Sequence, residues 1–115
     1  MFGNLRLWEM SRSILKQMDH DKCVEKKATE WKDDGYIVFA DLKGWDKPAE
    51  IEGYIPDIIA TKHGVARICE VETDDTLESH RKHWETFKKY SQGIKGTSFW
   101  LFLVTEKDKC KYVEV

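Results

Sequence analysis

The feature that most constrains the fold is a pair of apolar runs that flank His63-Gly64 and carry three acidic side chains. The pattern predicts two antiparallel strands joined by a tight turn, because glycine suits the positive backbone angles of such turns. A two-residue loop places Asp57 directly opposite Glu70, and Glu72 shares their face because side chains alternate along a strand. A three-residue loop would shift the pairing by one position and leave a diagonal contact.

Three carboxylates inside apolar strands need a partner, since burying an unpaired charge is costly. They would also raise one another's pKa unless a cation neutralised them. Mg²⁺ or Mn²⁺ binds carboxylates and keeps coordination positions for water and for a phosphate oxygen, which favours metal-dependent phosphodiester chemistry. The alternative is that the acids are exposed at a strand end and only make it soluble.

The remaining pattern predicts an α/β fold with a mixed central sheet flanked by helices. Val24, Ala28 and Trp31 form a helical stripe that ends before Gly35, and Asp19-His20-Asp21 is a candidate break with Asp21 as a new N-cap. The later elements are strands at 36–42, 51–61 and 65–72, a helix that begins at 73–75 and is closed by Gly93 and Gly96, and strands at 98–105 and 109–115. A helix between the third and fourth strands allows a parallel crossover.

Composition indicates one globular domain spanning residues 1–115. Hydrophobic residues make up 41% and charged residues 35% of the chain, which excludes a disordered protein. The net charge of −2 argues against a dedicated nucleic-acid coat protein, although an enzyme with a local basic surface remains compatible with it. The three cysteines show no CxxC spacing and no signal peptide is evident, so we expect a cytoplasmic protein with reduced thiols.

Ile55-Pro56-Asp57, followed by Ile68-Cys69-Glu70-Val71-Glu72, resembles the PD-(D/E)XK nuclease superfamily, with its restriction-endonuclease-like and archaeal Holliday junction resolvase-like members. The resemblance covers roughly residues 20–105, and the predicted α-β-β-β-α-β order matches that fold's core. It implies that Asp57 and Glu70 are metal ligands and that the backbone carbonyl of Val71 is a further one. The implied cofactor is Mg²⁺ or Mn²⁺.

The sequence departs from that family at Glu72, where most members have a lysine that positions or deprotonates the attacking water. A minority of restriction enzymes in the superfamily carry Glu-x-Glu, so Glu72 is predicted to act as a general base or as a second-metal ligand. Lys82 or Lys62 could instead supply the missing lysine. The departure is also compatible with a catalytically inactive relative.

In the resolvase-like branch, a glutamate on the first helix often completes the metal site. Glu25 matches it, because it precedes Gly35 by ten residues and lies beside the apolar stripe of its helix. The alternative is an ordinary surface glutamate.

Four residues are predicted to bind nucleic acid. Arg81 and Lys82 lie near the start of the second helix, where they would contact phosphates, although the basic side chains of this helix also suit a solvated face with i,i+4 ion pairs. Trp45 could stack on an unpaired base or close the rim of the core. Lys62 precedes the turn.

The predicted function is a Mg²⁺-dependent endonuclease acting on DNA. Asp57, Glu70, Glu72 and Lys82 are its candidate catalytic residues. We expect a homodimer, because a chain with one active site would need two copies to cut both strands, and we expect neither a membrane nor a small organic cofactor as partner. The alternative is an inactive module of the same fold that binds nucleic acid or a protein.

Overall fold

The computed structural model describes residues 2–106 and 109–115, with side-chain surroundings from residue 14 onward. It is an α/β fold with two helices and a five-stranded mixed sheet. The elements are α1 (Phe2–Asp33), β1 (Ile37–Ala40), β2 (Ile58–Lys62), β3 (Val65–Glu72), α2 (Arg81–Gln92), β4 (Thr97–Glu106) and β5 (Lys109–Val113).

The strands lie in the order β1-β2-β3-β4-β5. The β3–β4 pair is parallel and the other three pairs are antiparallel, so the crossover predicted through the second helix is confirmed. The last strand lies at the edge of the sheet, also as predicted. The chain thus connects its parallel pair through α2, which packs against β3 and β4.

The predicted two-residue hairpin is confirmed. Lys62 pairs with Val65, and Ile58 pairs with Cys69. Both loop residues have positive φ, 48° at His63 and 81° at Gly64, which are the angles that match the twist of a two-residue hairpin. The loop therefore fixes which residues of β2 and β3 pair with each other, as far as the acidic residues.

α1 is one continuous helix, so the predicted break at Asp19-His20-Asp21 is wrong. Its three polar residues keep helical backbone because the helix packs along the sheet through Val24 and Ala28, which are almost fully buried. Such tertiary packing outweighs the modest helix propensities of aspartate and histidine.

Gly35 ends α1, as predicted. Its φ of 95° lets Tyr36 N–H bond to the carbonyl of Trp31, and Gly35 N–H bonds to that of Lys32, which is the double closure of a Schellman motif. The rings of Trp31 and Tyr36 pack together beside this motif, with their centroids 6.5 Å apart.

Two predicted boundaries are wrong. The strand predicted from residue 51 begins only at Ile58, because Glu52 and Gly53 adopt positive φ and close a turn between Ile51 and Tyr54. The second helix begins at Arg81 rather than at residues 73–75, since a series of hydrogen-bonded turns precedes it.

The two helices pack on opposite faces of the sheet. Cys69 and Val71 of β3 face α1, whereas Ile68 faces Phe87 of α2. Glu70 and Glu72 follow the alternation of Ile68 and lie on the α2 face, near the end of β3. No helix in the described part of the chain has the length and apolar character needed to cross a membrane.

Candidate functional site

The predicted contact between Asp57 and Glu70 is observed at the open end of the β2–β3 hairpin, away from its loop. The backbone N–H of Asp57 donates to Oε1 of Glu70 at 2.8 Å, and the N–H of Val71 donates to Oδ2 of Asp57, also at 2.8 Å. Each carboxylate is therefore tied to the backbone of the neighbouring strand. The hairpin register thus holds these two side chains in fixed positions.

Glu70 and Glu72 are unusually buried for acidic residues, with 6% and 1% of their surface exposed. Burial, together with the charges of Asp57 and Glu72, raises the pKa of Glu70 well above its usual range. The cluster therefore carries repulsion that a proton or a cation at Glu70 would relieve.

Glu72 has one satisfied oxygen and one orphan oxygen. Its Oε2 lies 3.0 Å from Nδ1 of His80, while Oε1 is buried and has no hydrogen-bond partner among the described residues. An unsatisfied buried acceptor costs free energy. A cation, or a donor on a bound molecule, would satisfy it.

α1 contributes His20 to the cluster. Its Nε2 lies 3.3 Å from Oδ2 of Asp57, and its Nδ1 lies 2.9 Å from Oδ1 of Asp21. Burial lowers the pKa of His20, but hydrogen bonds and charges from Asp57 and Asp21 outweigh burial and raise the pKa from 6.5 to about 9. His20 is therefore a cation at neutral pH, and it partly balances the acids.

This pKa predicts a pH-dependent contribution of His20 to stability. Because the folded-state pKa lies above the unfolded one, the contribution is full below pH 6.5 and is lost as the pH rises to about 9. We expect His20→Gln to cost about 2–3 kcal/mol in EDTA at pH 6 and close to nothing above pH 9. Urea unfolding across that range measures it.

The matched control is His63→Asn, at an exposed position of positive φ that asparagine tolerates. It should change stability little at any pH. A His20→Gln penalty that did not fall with rising pH would contradict a charged His20.

The cluster opens into a cavity of about 540 Å³ between α1, the end of the sheet and the turns before α2. Lys16 closes one side, because its Nζ lies 2.7 Å from Asp74 and 2.9 Å from Asp75 and so ties α1 to those turns. The lining residues are Lys16, Gln17, His20, Asp21, Asp41, Ile55, Asp57, Glu70, Val71, Glu72, Thr73, Asp75, Thr76, His80 and His83.

The oxygen donors of the cluster suit a hard cation such as Mg²⁺ or Mn²⁺. Among the side chains that the structure describes, in residues 14–106 and 109–115, however, no three histidine, cysteine or acidic side chains are arranged as a ready-made metal site. The carboxylates of Asp57 and Glu70 instead accept hydrogen bonds from the protein. An ion at this place would have to replace some of these bonds.

The structure does not bring Glu25 to the cavity. Glu25 is exposed and accepts a hydrogen bond from Nε1 of Trp45 at 2.8 Å, so two residues predicted for separate roles contact each other. Helical geometry explains the difference. Glu25 follows His20 by five residues, a rotation of about 500°, which is about 140° more than one full turn. It therefore points away from the direction of His20, which contacts Asp57.

The predicted basic residues also lie outside the cavity lining. Arg81 forms ion pairs with Glu78 at 2.6 Å and Glu85 at 3.0 Å, which is the solvated-face alternative. Lys62, next to the loop of the β2–β3 hairpin, donates to the carbonyl oxygen of Asp34 at 2.6 Å. Lys82 is exposed on α2.

Sequence reasoning missed the cavity residues His20, Lys16, His80 and His83. His20 did carry a signal, since it precedes Val24 and Ala28 at four-residue spacing and so shares their helix face. The sequence placed His80 and His83 on the second helix, among basic side chains that could contact phosphates, but their proximity to Glu72 depends on turns that have no simple sequence pattern.

Comparison of the chain with protein-family models and with curated protein sequences finds no match. Its function is therefore inferred from the geometry and chemistry of the cavity.

Proposed function

We propose that this protein is a metal-dependent nuclease of the PD-(D/E)XK type that hydrolyses phosphodiester bonds in DNA. The observation that carries the proposal is the cluster of the buried Glu70 and Glu72 with the partly buried Asp57 at adjoining strand ends, beside a cavity. The α-β-β-β-α-β order with a parallel β3–β4 pair supports a restriction-endonuclease-like core. DNA is the proposed partner.

Asp57, Glu70 and the carbonyl of Val71 would hold Mg²⁺ or Mn²⁺. The chemistry of this donor set fits such an ion, and so does the raised pKa of Glu70, which indicates missing positive charge. When bound, the ion supplies a water of lowered pKa and stabilises negative charge on phosphate. The carboxylates would exchange hydrogen bonds from protein N–H groups for bonds to the ion.

Glu72 would accept a proton from the attacking water at its orphan Oε1. His80 holds the other oxygen, Oε2, so the carboxylate is positioned while its Oε1 has no donor among the described residues. Glu72 and His80 together would take the place of the lysine that most members of the family use. Lys82 lies outside the cavity lining, and Lys16, which lines the cavity, is paired with Asp74 and Asp75.

A cleavage assay tests the proposal. Duplex, single-stranded and branched DNA would be incubated with Mg²⁺, Mn²⁺ or EDTA, using the wild-type protein and Asp57→Ala. We expect metal-dependent cutting that falls by at least about a hundredfold in the variant, because a ligand to the ion is lost. Glu25→Ala is the control, since Glu25 lies outside the cavity and its loss should leave cutting unchanged.

A second candidate is the inactive module that binds nucleic acid or a protein. The observation that favours it is His20, whose charged ring already sits on Asp57 where a nuclease would hold its ion. Calorimetry separates the two, because a nuclease binds Mn²⁺ at this cluster and an inactive module need not. No cutting on any substrate, together with no Mn²⁺ binding, would replace the nuclease by the module.

A further inference from the structure

Three rings pack in a row, and two of them, His80 and His83, line the cavity. The rings of Tyr54 and His83 have centroids 4.2 Å apart at 33°, and those of His83 and His80 lie 5.1 Å apart at 17°. We refer to Tyr54, His83 and His80 as the ring stack. Its outer member, His80, has 44% of its side chain exposed.

The ring stack is held from both ends. Tyr54 packs edge-on against Phe87 of the core at 6.4 Å and exchanges two backbone hydrogen bonds with Ile51. At the other end, the hydrogen bond to Glu72 fixes His80. A flat surface whose rings are already ordered loses little conformational entropy when another ring stacks on it.

The exposed end of the ring stack lies at the acidic cluster. His80 and His83 line the cavity together with Asp57, Glu70 and Glu72, and His80 contacts Glu72 directly. Ile55 lines the same cavity with 54% of its surface exposed. Two stacked imidazole rings and one exposed aliphatic side chain therefore lie beside the carboxylates, and a base stacked on these rings would place its own phosphate near them.

The charges of the cavity disfavour binding through phosphates alone. Its lining contains six acids against two cations, Lys16 and His20, and both cations are already paired with acids of the protein. Arg81, the nearest candidate on α2, is paired with Glu78 and Glu85. A duplex backbone, which proteins bind mostly through Lys and Arg, finds few available cations here.

We propose that the ring stack is a binding site for an unpaired nucleobase, so that the substrate of the site is single-stranded DNA. A base inside a duplex already stacks on both neighbours and would have to leave the helix, whereas a base in a single strand has a free face. This inference rests on the proposed nuclease function for the nature of the strand. Cutting one strand requires only one copy of the chain.

Fluorescence anisotropy in EDTA, where no metal-dependent cutting occurs, tests the ring stack. The probes are a labelled oligothymidine and an abasic phosphodiester chain of equal length and charge. We expect the wild-type protein to bind the oligothymidine about tenfold more tightly, because stacking contributes roughly that factor per base. His83→Leu should bring the ratio close to one, whereas His83→Phe, which keeps a flat ring, should preserve it.

Thermal unfolding of both variants checks that they fold. Equal binding of the two probes by the wild-type protein, an unchanged ratio in a folded His83→Leu, or no saturable binding of oligothymidine would overturn the inference. So would tighter binding of a duplex of equal length, or of an oligouridine, which would make the substrate duplex DNA or RNA.

The two proposals fail separately. If Mg²⁺-dependent cutting occurs while the probes bind equally, the ring stack is not a base site and the nuclease stands. If the probes differ but nothing is cut with any metal, the base site stands on an inactive module.

Discussion

Glu70→Gln is expected to be more stable than the wild-type protein without metal and less stable than it with metal. In EDTA it should raise the free energy of unfolding at pH 7, because it removes a charge that burial and the neighbouring acids destabilise. We therefore expect Glu70→Gln to unfold at a higher urea concentration than the wild-type protein. Glutamine keeps an oxygen that can accept the N–H of Asp57.

The pH dependence gives this prediction its sign. Since the folded-state pKa of Glu70 lies above its unfolded value of 4.5, ionisation of Glu70 costs the folded protein stability as the pH rises above 4.5. The advantage of Glu70→Gln should therefore be absent at pH 4 and grow toward neutral pH. Urea unfolding at several pH values, with EDTA throughout, measures it.

Saturating Mn²⁺ should reverse the order of stability. The wild-type protein should gain about 2.7 kcal/mol when the free ion is at a hundred times its dissociation constant, and Glu70→Gln should gain almost nothing because a ligand is lost. The control is Glu78→Gln, an exposed acid whose pKa Arg81 lowers by a hydrogen bond. It should give no stabilisation in EDTA and leave the Mn²⁺ effect intact. A Glu70→Gln variant less stable than the wild type in EDTA would contradict the repulsion at the cluster.

The sequence was sufficient for the acidic cluster because a single local rule determined it. His63-Gly64 specifies a two-residue hairpin, the hairpin specifies the register, and the register brings Asp57 to Glu70. The order of helices and strands followed in the same way from periodicity. In both cases the information lies within a few neighbouring residues.

The wall of the cavity could not be predicted because its residues meet through tertiary packing. His20 reaches Asp57 only because α1 continues through Asp19-His20-Asp21, which local propensity marked as a break. Likewise, the apolar residues Ile51 and Tyr54 suggested a strand, yet positive φ at Glu52 turns the chain there and places Tyr54 against His83. These are the positions where a local pattern and the whole fold disagree.

Phe87→Ala is expected to cost about 3–5 kcal/mol of unfolding free energy, the largest stability effect that we predict. Phe87 is fully buried and joins α2 to Ile51 and Ile68 under the acidic cluster, so its truncation leaves a cavity that a short helix cannot collapse to fill. Phe87→Leu should cost less than half as much, and Tyr90→Ala, at a partly exposed position of the same helix, should change stability by about 0.5 kcal/mol or less. Urea unfolding of the three variants ranks them. If Phe87→Ala lost less than about 1 kcal/mol of unfolding free energy, α2 would not be anchored through this ring.

Phe87 also packs edge-on against Tyr54 and so supports the ring stack. Base binding at the ring stack should therefore weaken in Phe87→Ala even at temperatures where the protein remains folded.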